Sequence, residues 1–171
     1  MKKAIFLDRD GTIIEEKGYL NTPEFIRLKK GVIEGLRVLQ NAGFYLFIVT
    51  NQSGVKRGWV SRKRVMRINR TLIDLLKEHK VFIKDIQVCF HHPKERCACR
   101  KPKPFMILRL LKKYPDIDIK TSYVIGDKDS DIKLAQNVGA KGIKVFPDTD
   151  FFKVAKDILN RENPIFDIHN G

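Results

Sequence analysis

The chain has 171 residues, 43% of them hydrophobic, which suits one domain (1–171) with a proper core. Its formal net charge is +14, concentrated in residues 61–113, where 16 basic side chains face 4 acidic ones, and such a patch favours anionic partners. The opening MKKAIFLDRDG breaks its apolar run with charge, unlike a signal peptide, and no later run nears the roughly 20 residues that span a bilayer, so a cytoplasmic monomer with reduced thiols and no membrane partner is expected.

KAIFL (3–7) is a short continuous apolar run, the pattern of a strand buried on both faces. GVIEGLRVLQNAGF follows with Val32, Ile33, Leu36 and Leu39 at helical spacing and Gly43 as its stop. FYLFIVT (44–50) predicts a second buried strand. Ser61 to His79 predicts a helix, with Ser61 as N-cap and Val65, Ile68, Leu72, Leu75 and Leu76 on one face. DIQVCF predicts a third strand and PFMILRLLKKY a helix. TSYVIG (121–126), SDIKLAQNVG, GIKVF and DTDFFKVAKDILN then alternate strand, helix, strand, helix. The tail after Pro164 is expected to be loosely held. Alternation of this kind implies an α/β fold: a three-layer, Rossmann-like parallel sheet with helices on both faces.

In such sheets ligands bind beyond the carboxyl ends of the strands. Four predicted strand ends carry chemistry: Asp8-Arg9-Asp10-Gly11-Thr12, Thr50-Asn51-Gln52-Ser53-Gly54, the stretch from Cys89 to Lys101, and Gly126-Asp127-Lys128-Asp129-Ser130-Asp131. Asp8, Asp10 and Asp127 would repel one another unless a cation sat among them, and hard oxygen donors suit Mg²⁺. Thr50 and Lys101 are suited to phosphate oxygens. Of two carboxylates spaced i, i+2, one can attack phosphorus to give an aspartyl phosphate while the other handles protons.

All three cysteines fall in CFHHPKERCACRKPK (89–103). Cys89, Cys97 and Cys99 with one imidazole, from His91 or His92, make a full tetrahedral set for structural Zn²⁺. A Cys97–Cys99 disulfide would be strained. Zinc would stiffen the loop that delivers Arg100 and Lys101. Asp129 is expected to cap the following helix, and His79 and His169 are expected on the surface.

The order DRDGT, Thr50, Lys101, GDKDSD resembles that of the haloacid dehalogenase-like phosphatases over roughly residues 3–146. The resemblance implies Asp8 as nucleophile, Asp10 as general acid and base, and Thr50 and Lys101 as stabilisers of the phosphoryl group. It also implies Mg²⁺ on the side chains of Asp8 and Asp127 and the main-chain carbonyl of Asp10, with Asp131 supporting them from behind. The CxH…CxCRKP arrangement is similar to the heptose-bisphosphate and histidinol-phosphate phosphatases, and favours His91 as the fourth zinc ligand. GYLNTPEF, TNQSGVKRG, RKPKPFM and GDK look like the heptose enzymes, whereas the five residues between His91 and Cys97 look like the histidinol-phosphate branch. Substrate contacts implied in this way are Lys17, Gly18, Tyr19, Asn51, Gln52, Ser53, Arg100 and Lys128. No cap domain is expected. The expected substrate is a heptose bisphosphate; histidinol phosphate and a nucleic acid 3′-phosphate are the alternatives.

Overall fold

A computed structural model describes residues 1–162. The tail after Pro164 and His169 lie outside the described residues. Five strands, β1 (Ala4–Leu7), β2 (Tyr45–Asn51), β3 (Ile83–Cys89), β4 (Tyr123–Gly126) and β5 (Lys141–Lys144), pair in parallel in the order β3-β2-β1-β4-β5. The helices are α1 (Val32–Asn41), α2 (Arg62–Glu78), α3 (Phe105–Lys113), α4 (Asp129–Val138) and α5 (Phe151–Glu162). Among the described residues, no helix is long and apolar enough to cross a membrane.

The period-2 alternation of each central strand divides the interior into two cores. Ile5, Leu7, Leu46, Ile48 and Ile125 point to the face covered by α1, α2 and α5. Ala4, Phe6, Phe47, Val49 and Val124 point to the face covered by α3 and α4. Apolar burial on both faces explains why these strands read as unbroken hydrophobic runs. The edge strand β3 is only half-buried over most of its length. Ser61 caps α2 as expected, its hydroxyl accepting the Arg64 amide at 3.2 Å. Gly43, at φ 91°, follows the end of α1.

The cap of α4 differs from expectation. Lys128, not Asp129, holds the N-cap position, and its amide donates to Asp131 Oδ2 at 3.1 Å. Asp129 is already inside the first turn, and its carboxylate accepts from Lys144 Nζ at 2.6 Å. The chain therefore turns into α4 one residue sooner after β4 than the sequence pattern implied.

Candidate active site

The carboxyl ends of β1, β2, β3 and β4 meet at one rim. Asp8, on leaving β1, is buried, and its Oδ1 lies 2.9 Å from Lys101 Nζ. The same ammonium lies 2.6 Å from Asp131 Oδ1 and donates to the Val49 carbonyl at 2.9 Å. Burial alone would raise the Asp8 pKa, but the Lys101 charge and hydrogen bond outweigh it and hold the carboxyl below its ordinary range. Burial tends to lower the Lys101 pKa, yet Asp8 and Asp131 together keep it raised. The nucleophile-type carboxylate is therefore ionised and the lysine charged.

Asp8, Asp127 and Asp131 each offer a carboxylate oxygen within 4.8 Å of the others. Asp127 Oδ1 is buried without a hydrogen-bond partner. Burial first, then the Asp8 charge, pushes its pKa up to about 6. An orphaned carboxylate oxygen in a crowded carboxylate cluster fits a small hard cation bound by oxygen. Two glycines make the crowding possible. Gly11, at φ 79°, would place a Cβ 2.4 Å from Asp127 Oδ2, and Gly126 would place one 2.2 Å from the Asp131 carboxyl.

A cavity of about 560 Å³ opens above Asp8, Asp10 and Lys101. Gly18, Tyr19, Asn51, Gln52, Ser53, Arg100 and Lys128 line it, as the sequence implied. Lys17 does not: it is exposed, 3.5 Å from Glu15. Thr50 is fully buried beneath the floor, its hydroxyl accepting from Gln52 Nε2 at 2.9 Å. Asn51 fixes the incoming loop, accepting the Lys101 amide at 3.1 Å and donating to its carbonyl at 3.3 Å. Arg100 has a buried Nη1 without a partner.

Several lining residues escaped the sequence reading. Glu16, 3.6 Å from Lys128, and Ser130 also line it, and Arg57 reaches the cavity with its guanidinium over the Trp59 ring, 4.9 Å from the centroid. Arg57 lies in TNQSGVKRG, whose spacing from the strand end was the available signal. Trp59 packs edge-on against Tyr19 at 4.2 Å, so the loops after β1 and β2 close one wall together. Arg9, between the two motif aspartates, is 1% exposed and donates to Asp10, Gln52 and Asn69.

At the end of β3, Cys89 Sγ, Cys97 Sγ, Cys99 Sγ and His91 Nδ1 lie within 4.8 Å of one another. Cys97 sits 3.8 Å from Cys89 and 3.9 Å from Cys99. A tetrahedron with metal–sulfur bonds of about 2.3 Å has edges of about 3.8 Å, which both Cys97 distances match, while Cys89 and Cys99 lie closer at 3.0 Å; three thiols and one imidazole are a donor set that suits zinc. His92 turns away, its Nδ1 accepting the Lys94 amide at 3.1 Å. Burial and the Cys99 contact push the Cys89 thiol up to about 12, which marks a group unable to ionise there unaided. All three cysteines are free.

A doubly covered parallel sheet with an aspartate-rich rim and a buried lysine defines the class of haloacid dehalogenase-like hydrolases. The HAD-hydrolase-like family model matches residues 98–152. A D-glycero-β-D-manno-heptose-1,7-bisphosphate 7-phosphatase of Helicobacter pylori is 37% identical over 98% of this chain and 88% of its own. The histidine biosynthesis bifunctional protein HisB of Campylobacter jejuni is 35% identical over 93% of this chain but only 46% of its own. The crystal structure of D,D-heptose 1,7-bisphosphate phosphatase from B. bronchiseptica, complexed with magnesium and phosphate, superposes with a TM-score of 0.84 at 25% identity, covering 93% of this chain and 99% of that one. The chain belongs to the haloacid dehalogenase-like phosphatases, in the group that includes the heptose-1,7-bisphosphate 7-phosphatases. It is a phosphomonoesterase.

Proposed function

We propose that the protein removes the 7-phosphate of a D-glycero-D-manno-heptose 1,7-bisphosphate, as a single uncapped monomeric domain. The observation that carries the chemistry is the meeting of Asp8, Lys101 and Asp127 at one strand rim, over a cavity whose wall holds Arg57, Arg100 and Lys128. A bisphosphate, with about four negative charges near neutral pH, suits those cations better than an ester that brings its own ammonium groups.

Asp8 attacks phosphorus: an O–P bond forms to its carboxylate and the ester P–O bond breaks. Asp10 gives its proton to the departing alkoxide. Water then attacks the aspartyl phosphate, Asp10 takes the water proton, and inorganic phosphate leaves with Asp8 restored. Lys101, held between Asp8 and Asp131, neutralises charge on the phosphoryl oxygens, and Thr50 steadies the same group. Asp8, Asp127 and the Asp10 carbonyl would hold Mg²⁺, which supplies further neutralisation of the transferring group. Cys89, His91, Cys97 and Cys99 would hold zinc, fixing the loop that carries Arg100 and Lys101.

The second reading is histidinol phosphate, favoured by the match to HisB and by the short spacing of the zinc loop. A panel of heptose bisphosphate, histidinol phosphate and a 3′-phosphorylated oligonucleotide, assayed with Mg²⁺ for phosphate release, decides among the substrates. Heptose bisphosphate is expected to give the highest kcat/KM, with all turnover abolished in Asp8→Asn. Preference for either other compound would reject the substrate reading. Cys97→Ser with Cys99→Ser should lose bound zinc by metal analysis and most activity; full activity without zinc would remove the loop brace from the account.

A further inference from the structure

Helix α2 carries one buried polar side chain, Asn69, in phase with Val65, Ile68 and Leu72 on its apolar face. Asn69 is 2% exposed and its Nδ2 has no partner. Asparagine is a poor helix residue, and a buried donor left unpaired is destabilising, so packing alone favours Leu there. What the amide does is accept one hydrogen bond: Arg9 Nη1 donates to Asn69 Oδ1 at 2.7 Å.

Arg9 continues the alternation of Ile5 and Leu7 and turns toward the face that α2 covers. Its guanidinium grips both oxygens of the next residue, with Nε 3.1 Å from Asp10 Oδ2 and Nη2 3.1 Å from Asp10 Oδ1. Nη2 also donates to Gln52 Oε1 at 3.0 Å, and Gln52 Nε2 donates to Asp10 Oδ2 at 2.7 Å. The Asp10 carboxylate is thus set by a planar fork, and Asn69 anchors the Nη1 end of that fork. A guanidinium released at Nη1 can tilt within its pocket and carry Asp10 with it.

We infer that Asn69 is a positioning residue for proton transfer by Asp10, acting through Arg9. The inference deepens the phosphatase reading and rests on it. A carboxyl displaced by a fraction of an ångström delivers its proton poorly, while attack by Asp8 is untouched. The loss therefore scales with how much the leaving group needs a proton: little for 4-nitrophenolate, more for phenolate, most for an alkoxide.

The test is kcat/KM, which reports ester cleavage, for 4-nitrophenyl phosphate and phenyl phosphate with Mg²⁺. In Asn69→Leu, turnover of phenyl phosphate should fall at least about tenfold, and that of the nitrophenyl ester no more than about threefold. Asp10→Asn should show the same pattern, larger. Asn69→Asp keeps an oxygen acceptor at the same reach and should restore the ratio toward wild type. Should Asn69→Leu not fold by circular dichroism, Asn69→Ser, too short to reach Arg9, carries the same expectation. An equal fall on both esters, an unchanged ratio, or failure of Asn69→Asp to restore it would overturn the inference. Loss of both activities in Asp8→Asn checks the phosphatase reading separately.

Discussion

At the scale of single residues, Lys101 decides whether the rim can exist at all. Its ammonium is 3% exposed and sits between two carboxylates that are 7% and 1% exposed. Charges so far from water are tolerated only while paired. Lys101→Met keeps the stem's apolar packing and removes the charge, leaving Asp8 and Asp131 facing each other. Loss of one partner of a buried pair costs about 3–5 kcal/mol, so urea unfolding should show a loss of that order. Activity should also fall to the level of Asp8→Asn. A Met variant as stable as wild type would mean that water reaches this pair freely. Adding Mg²⁺ should recover part of the lost stability, since a cation on Asp8 and Asp127 replaces some of the missing charge. The residues legible in advance were those at predicted strand ends, because a parallel sheet gathers its carboxyl ends regardless of sequence distance. Arg9 and Asn69 were hidden for the opposite reason. Their role lies in a contact across 60 positions, and the only sign in the sequence is a polar residue in step with an apolar stripe.

At the scale of elements, the far rim of the sheet is built for stability. Glu162, at the end of α5, accepts from Tyr123 Oη at 2.6 Å and Lys141 Nζ at 3.0 Å, and pairs with Lys3. These contacts tie the last helix to the amino ends of β4 and β5 and to the residue preceding β1. Burial would raise the Glu162 pKa, but the Lys3, Tyr123 and Lys141 hydrogen bonds outweigh it and bring it down to about 2. A carboxyl whose pKa is depressed on folding contributes stability above its unfolded value, and that stability is lost as pH falls through the folded one. Glu162→Gln should therefore cost about 1–2 kcal/mol at pH 7. The gap to wild type should close between about pH 4.5 and pH 2. A gap independent of pH would show that packing, not charge, is what the glutamate supplies. The helices and strands themselves were readable because both faces of the central strands are apolar. The cap of α4 was misplaced by one residue, since lysine is a poor cap by type and the carboxylate that meets the Lys128 amide, Asp131, lies three positions further on.

At the scale of the whole molecule, the excess of positive charge acts more as a field than as a set of ligands. Of the 16 basic residues in 61–113, only Arg100 and Lys101 line the cavity; Arg57 and Lys128 come from elsewhere. Others are occupied locally, as Arg62 is over the Phe90 ring at 4.7 Å and Arg64 on Asn21 Oδ1 at 2.8 Å. Exposed charges separated by more than a Debye length, about 10 Å at 0.1 M salt, are screened, so their effect must fade as salt is added. A net +14 therefore predicts steering of polyanionic substrates that is sensitive to ionic strength. Raising KCl from about 50 mM to about 500 mM should lower kcat/KM for heptose bisphosphate several-fold, with kcat nearly constant. For 4-nitrophenyl phosphate, with about half the charge, the decline should be visibly shallower. Equal slopes for the two would place the discrimination in direct contacts at Arg57, Arg100 and Lys128, and would leave the basic surface without a part in capture.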